Sequence, residues 1–129
     1  MFELSSESWA FQALYNFTEM GAGGPLFSNL VFDQAGNMYG TTFRDGAVGA
    51  GSVFKLTPSM DGYIYTALHN FCAVDSEGAC PDGIYPTGTL VIDSSGNLYG
   101  TALMGGSNTG LCNTGGPTGS CGVIFKITP

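Results

Sequence analysis

The chain has 129 residues, of which 21 are glycine and only 10% are charged, with ten acids against three bases and a formal charge of −7. With 43% hydrophobic residues it has too much apolar surface for a disordered chain, and its glycines follow no collagen period. The acidic balance excludes an electrostatic footprint for nucleic acid or an anionic membrane, and no apolar run approaches the ~20 residues of a membrane helix.

In chain order, Met1–Ser8 has neither the basic start nor the apolar core of a signal peptide, so an export address is expected to lie outside these residues. Within it, Phe2-Glu3-Leu4-Ser5 matches the later Phe54-Lys55-Leu56-Thr57, which predicts that residues 1–8 are the last strand of a preceding unit. Four strands are then predicted over Trp9–Phe17, Phe27–Asp33, Asn37–Thr42 and Ser52–Thr57. Four more follow over Tyr63–Phe71, Thr87–Asp93, Asn97–Ala102 and Gly122–Thr128. These runs are rich in β-branched and aromatic residues and are punctuated by Gly, Pro, Asn and Asp. Asp33-x-x-Gly36-Asn37 and Asp93-x-x-Gly96-Asn97 carry hairpin chemistry, an acid to accept backbone N–H groups and a glycine free to take positive φ.

Three blocks recur in the same order. Ala13-Leu14-Tyr15-Asn16-Phe17 returns as Ala67-Leu68-His69-Asn70-Phe71. Asp33 to Thr41 returns as Asp93 to Thr101, and Val53-Phe54-Lys55-Leu56-Thr57-Pro58 as Ile124-Phe125-Lys126-Ile127-Thr128-Pro129. The displacements are 54, 60 and 71 residues. The second copy has therefore grown in two connections, and all four cysteines lie in them. Residues 9–58 form unit 1 and residues 59–129 unit 2. Four strands per unit in tandem predict an all-β chain of two four-stranded antiparallel units of β-propeller-blade type plus an extra N-terminal strand; a stack of two-sheet sandwich repeats is the alternative. Gly40 and Gly100 suit close approach of a neighbouring sheet. Lys55 and Lys126 are expected on the outer edge.

Asn37-Met38-Tyr39-Gly40-Thr41-Thr42 with Gly51-Ser52-Val53-Phe54-Lys55-Leu56-Thr57-Pro58, and their second copies, resemble the GloVer (Gloeo/Verruco) tandem repeat of choice-of-anchor bacterial surface proteins. The resemblance covers nearly residues 9–129. It implies a secreted or surface-displayed array of propeller type, with no established activity and no catalytic residue to carry over.

The four cysteines permit three pairings. Each of the pairs Cys72/Cys80 and Cys112/Cys121 falls inside one enlarged connection, which favours two local disulfides and an oxidising compartment. Zinc would want closer cysteine spacing or nearby histidines. Asp75, Glu77 and Asp82 form an acidic loop that offers hard oxygens for calcium, although their spacing matches no EF-hand; the plainer reading is a solvated loop. Asp33 and Asp93 are read as turn residues rather than a carboxylate pair. His69, the only histidine, aligns with Tyr15 and so looks like a packing position. No nucleophile elbow is present, and no glycosidase carboxylate pair is singled out. The aromatics Trp9, Phe11, Tyr15, Phe17, Tyr63, Tyr65 and Phe71 alternate along the first strand of each unit. They are read as core in preference to a sugar-stacking surface. Asn16-Phe17-Thr18 matches a glycosylation sequon.

The expected function is a non-enzymatic extracellular repeat module with a structural, adhesive or self-assembly role. A glycan- or ligand-binding propeller is the alternative, and a polysaccharide-acting enzyme the third reading. No catalytic residue, cofactor or metal is assigned. Partners are further copies of the chain or further repeats, with glycans as a second class and neither nucleic acid nor membrane insertion. Two units leave sheet faces open, so an isolated monomer is not the expected working form; a longer array, a ring or a filament is.

Overall fold

A computed structural model describes residues 10–17, 26, 28–73, 80–106 and 121–129. Eight strands are present: β1 (Val31–Phe32), β2 (Met38–Thr42), β3 (Ser52–Ser59), β4 (Gly62–Asn70), β5 (Ile84–Pro86), β6 (Val91–Ile92), β7 (Leu98–Met104) and β8 (Val123–Ile127). They form two four-stranded antiparallel sheets.

Sheet 1 is a meander, β1-β2-β3-β4. The Asp33–Asn37 turn returns β1 onto β2, and Gly36 takes φ +83° within it. A two-residue turn, Met60-Asp61, sets Ser59 opposite Gly62 and zips β3 to β4 as far as Ser52 opposite Asn70, with one bulge at Val53/Phe54. In sheet 2, β7 is central. β5 and β6 lie along one side of it, opposite Met104–Ala102 and Tyr99–Leu98, and β8 lies along the other.

The propeller-blade assignment is thereby corrected. Neither sheet closes into a barrel or propeller, and the two sheets are not two copies of one strand order. The fourth strand of sheet 1, β4, comes from the start of the second sequence repeat. Its counterpart from the first repeat, residues 10–17, forms no strand. The physical reason is loop entropy: the edge of β3 is claimed by the segment joined to it through two residues, ahead of one that would close a far longer loop. Likewise β3, expected as an outer edge, is interior to its sheet. The expected extra strand at residues 1–8 lies outside the described residues.

Strand alternation gives each sheet two distinct faces. On sheet 1, Met38, Phe54 and Leu56 form one buried cluster, against which Tyr15, Phe17, Tyr63 and Tyr65 pack. Tyr39 and Val53, on the opposite face, join Leu90, Leu98 and Ala102 of sheet 2 in the main core, with Phe125 and Ile127 packed alongside. Burying a side chain such as Val53 or Leu98 contributes about 1.5–3 kcal/mol. The sheets thus stack front to back. The face of sheet 1 that meets sheet 2 aligns in sequence with the face of sheet 2 that looks away.

Gly40 and Gly100 explain themselves within this packing. Gly40 lies opposite Phe54, and Gly100 opposite Phe125. A Cβ on Gly40 would meet the Phe54 ring at 2.7 Å and Leu30 at 3.0 Å; one on Gly100 would meet Phe125 and Leu90. The close neighbour is therefore a ring on the adjacent strand, in addition to a leucine from the segment preceding β1 or β6. Gly40→Ala should destabilise by about 1–3 kcal/mol through overpacking, read as a lowered urea midpoint. An unchanged midpoint would mean that the Phe54 ring moves freely aside.

Candidate functional site

The duplicated turns are the most regular polar feature. Asp33 Oδ1 accepts from the amides of Ala35 and Asn37, each at 2.9 Å, while Oδ2 accepts from Asn37 Nδ2 at 2.7 Å and the Tyr39 hydroxyl at 2.9 Å. Asp93 repeats the set with Ser95, Asn97 and Tyr99 at 2.8–3.1 Å. Lys55 lies over the Tyr39 ring at 5.7 Å, and Lys126 over Tyr99 at 5.6 Å. The asparagine side-chain bonds, reinforced by the backbone and tyrosine donors, hold both carboxyls down at about 2. An open cleft of about 530 Å³ separates the turns, lined by Phe32, Gln34, Ile92, Ser94 and Ser95 among others. With four donors each, neither carboxylate has a lone pair left for a metal. Neither holds a proton at neutral pH to serve as a general acid.

Because the folded value of each lies below the ordinary 3.8, the turns contribute stability that is present above about pH 4 and lost as pH falls through about 2. Asp33→Ala with Asp93→Ala should lower the urea midpoint at pH 7. The gap from the parent protein should narrow as the pH is taken down toward 2. A gap independent of pH would show that these carboxylates act in their neutral form.

A second cluster joins the sheets. A disulfide links Cys72 to Cys80, with Cα atoms 4.7 Å apart. The Cys72 amide donates to both Asp82 oxygens at 3.1 Å, and Asp82 Oδ2 lies 2.8 Å from His69 Nε2. The Cys80 carbonyl accepts from Gly83 at 3.1 Å and Gly106 at 2.9 Å. Asp82, read as part of a solvated acidic loop with calcium as the alternative, is instead occupied at the root of that loop by His69 and the Cys72 amide; Asp75 and Glu77 lie outside the described residues. His69 also stands edge-on to Phe71, with ring centroids 4.9 Å apart. Cys121 is disulfide-bonded too, while Cys112 lies outside the described residues. Among the described residues no group of three or more His, Cys, Asp or Glu could hold a metal ion. Cys72→Ser with Cys80→Ser should cost about 2–3 kcal/mol on the chain-entropy account, measured by urea unfolding under non-reducing conditions. A loss well under 1 kcal/mol would mean that the Asp82 bonds alone hold the loop.

The aromatic set divides. Tyr15 stacks on Tyr65 at 5.5 Å, and Phe17 stands edge-on to Phe54 at 5.3 Å. Phe11 is fully open to solvent. Trp9 and Thr18, the latter completing the sequon at exposed Asn16, lie outside the described residues.

Sequence reasoning missed a buried polar knot. Asp45 is 1% exposed. Ser52 Oγ donates to its Oδ2 at 3.4 Å and lies 2.8 Å from Thr42 Oγ1, and the Tyr65 hydroxyl reaches both Ser52 and Asp45. Burial, above all, raises the Tyr65 phenol. The available signal was a concerted difference between the copies: Thr42, Asp45 and Ser52 align with Ala102, Gly105 and Val123.

The largest candidate surfaces are the open Ile124 face of sheet 2 and the exposed Leu30–Phe32 end of the outer face of sheet 1. Val53 is 0% exposed, but its counterpart Ile124 is 83% exposed; Leu90 is 1% exposed, but its counterpart Leu30 is 42% exposed. Tyr99, Val91 and Leu103 surround Ile124, and Phe32 adjoins Leu30, all exposed. The Ile124 half of the sheet-to-sheet interface is therefore bare, whereas the Leu30 half is exposed only at Leu30 and Phe32, its Met38, Phe54 and Leu56 being buried beneath Tyr15 and Phe17.

Comparison of the chain with family models, curated proteins and solved structures finds no match. What the structure establishes is an all-β module of repeat architecture with a Cys72–Cys80 disulfide. No helix among the described residues is long and apolar enough to cross a membrane.

Proposed function

We propose that this chain is a non-enzymatic extracellular structural module that works by associating with further copies of itself. The carrying observation is the repeat correspondence between the open Ile124 face of sheet 2 and the exposed Leu30–Phe32 end of sheet 1. The Ile124 face of sheet 2 is the repeat counterpart of the Val53 face that sheet 2 covers. The Leu30 face of sheet 1 is the counterpart of the Leu90 face that sheet 1 covers. Contacts of this kind are heterologous, so copies join head to tail. Disulfide-bonded loops support an oxidising location. The Asn-x-Tyr-Gly-Thr and Phe-Lys-x-Thr-Pro blocks support placement with the GloVer surface repeats.

Sedimentation velocity over a wide concentration range tests the reading. Mass is expected to rise with concentration, and Ile124→Glu, at a solvent-exposed position where stability should change little, is expected to return the protein to monomer. A cooperatively folded monomer at every concentration would overturn the proposal.

A further inference from the structure

Among the described residues, sheet 2 is bare at an edge as well as on a face. In sheet 1 the outer edge of β3 is paired along its whole length by β4. In sheet 2 the equivalent strand is β8, which pairs β7 on one side; among the described residues no strand pairs its other side. An unpaired row of N–H and C=O groups is a template for another strand.

The chain also holds an unpaired candidate. Residues 10–17 are the sequence counterpart of β4, Ala13-Leu14-Tyr15-Asn16-Phe17 aligning with Ala67-Leu68-His69-Asn70-Phe71, yet they lie in no strand. One contact of the segment already mimics β4. Phe71, directly after β4, stands edge-on to Phe125 of the next sheet at 5.1 Å; Phe17, at the end of its segment, stands edge-on to Phe54 of the next sheet at 5.3 Å. The segment is thus anchored by its aromatic end to the face of sheet 1 that looks away from sheet 2. It cannot reach β8 of its own chain without leaving that anchor.

We infer that residues 10–17 of one copy add to the outer edge of β8, which no described strand pairs, in a second copy, completing its sheet 2 as β4 completes sheet 1. The inference rests on the self-association proposed above and names its contact. Carrying over the β3–β4 register places Asn16 opposite Val123, Tyr15 opposite Ile124, Ala13 opposite Phe125 across a bulge, Gln12 opposite Lys126 and Phe11 opposite Ile127. The strand is antiparallel. It brings the bare Ile124 face of one copy against the exposed Leu30 and Phe32 of the next, and Phe11, 95% exposed in the single chain, gains a neighbour in Ile127.

The test is a mixture of two variants that each carry one added cysteine, Gln12→Cys and Lys126→Cys, treated with a short bismaleimide and mapped by peptide mass spectrometry. The inference predicts a 12–126 link between copies, and at least about tenfold less product when Asp61→Cys, in the distant β3–β4 turn, replaces Lys126→Cys. Gln12→Pro should weaken association about tenfold, because a proline withholds an N–H from the new ladder, with its urea midpoint as monomer unmoved. Association without the 12–126 link, or indifferent to Gln12→Pro, overturns this contact and leaves self-association standing. No association at all overturns both.

Discussion

Phe71→Ala is expected to cost about 3–5 kcal/mol, the usual range for deleting a buried ring. Phe71 is 1% exposed and stands at the point where sheet 1 hands over to sheet 2. Its ring meets Phe125 and His69 edge-on, and its amide donates to the Gly51 carbonyl at 3.0 Å. Gly83 approaches the same ring, so the cavity would be walled by both sheets and by the segment that follows the Cys72–Cys80 bridge. Backbone and disulfide restrain that wall from collapsing, which places the cost at the upper part of the range. Phe17→Ala removes the repeat-equivalent ring from a half-buried position and should cost only about 1–2 kcal/mol. Urea unfolding of the two variants measures the difference directly. Equal losses would mean that Phe71 does not bridge the sheets, and that the two repeats hold their rings alike.

That contrast shows what the sequence could and could not disclose. The alternation of β-branched and aromatic residues announced an all-β chain, and the Asp-x-x-Gly-Asn blocks announced two like turns; both are matters of local chemistry. Which strand pairs which is not local. Tyr63–Phe71 begins a repeat in sequence yet completes the preceding sheet, because the Met60-Asp61 turn delivers it to the edge of β3 at small entropic cost. The propeller expectation failed at that step, since a repeat boundary read from residue identity carries no information about hydrogen-bond partners or sheet closure. Gly40 shows the same limit at one residue: its bareness was legible, but the ring that requires it sits one strand away at Phe54. The open surfaces were foreseeable only as a count of units. Their repeat correspondence needed burial values at Val53 and Ile124.

Duplication also supplies an internal control for the buried polar knot, because evolution of the two repeats has produced one version with it and one without. Thr42, Asp45 and Ser52 are each 0–1% exposed. Ser52→Val alone would strip the Asp45 carboxylate of its serine hydroxyl and leave Thr42 Oγ1 without Ser52 Oγ, its partner at 2.8 Å. Asp45 Oδ1 already has no hydrogen-bond partner, so the charge would depend on Tyr65 alone. Leaving a buried acid so poorly served should cost about 3 kcal/mol. Replacing all three residues by their second-repeat identities, Thr42→Ala with Asp45→Gly and Ser52→Val, removes the charge together with the groups that serve it. The remaining cost is chiefly that of the added glycine, about 1 kcal/mol. The triple variant should therefore be more stable than Ser52→Val, reversing the usual effect of accumulating substitutions. Three single variants and the triple, compared by urea midpoint at pH 7, close the cycle. Losses that simply add would show that Asp45, Ser52 and Thr42 act independently. A triple variant near the parent would show that the polar knot is a unit whose apolar replacement already exists in the same chain.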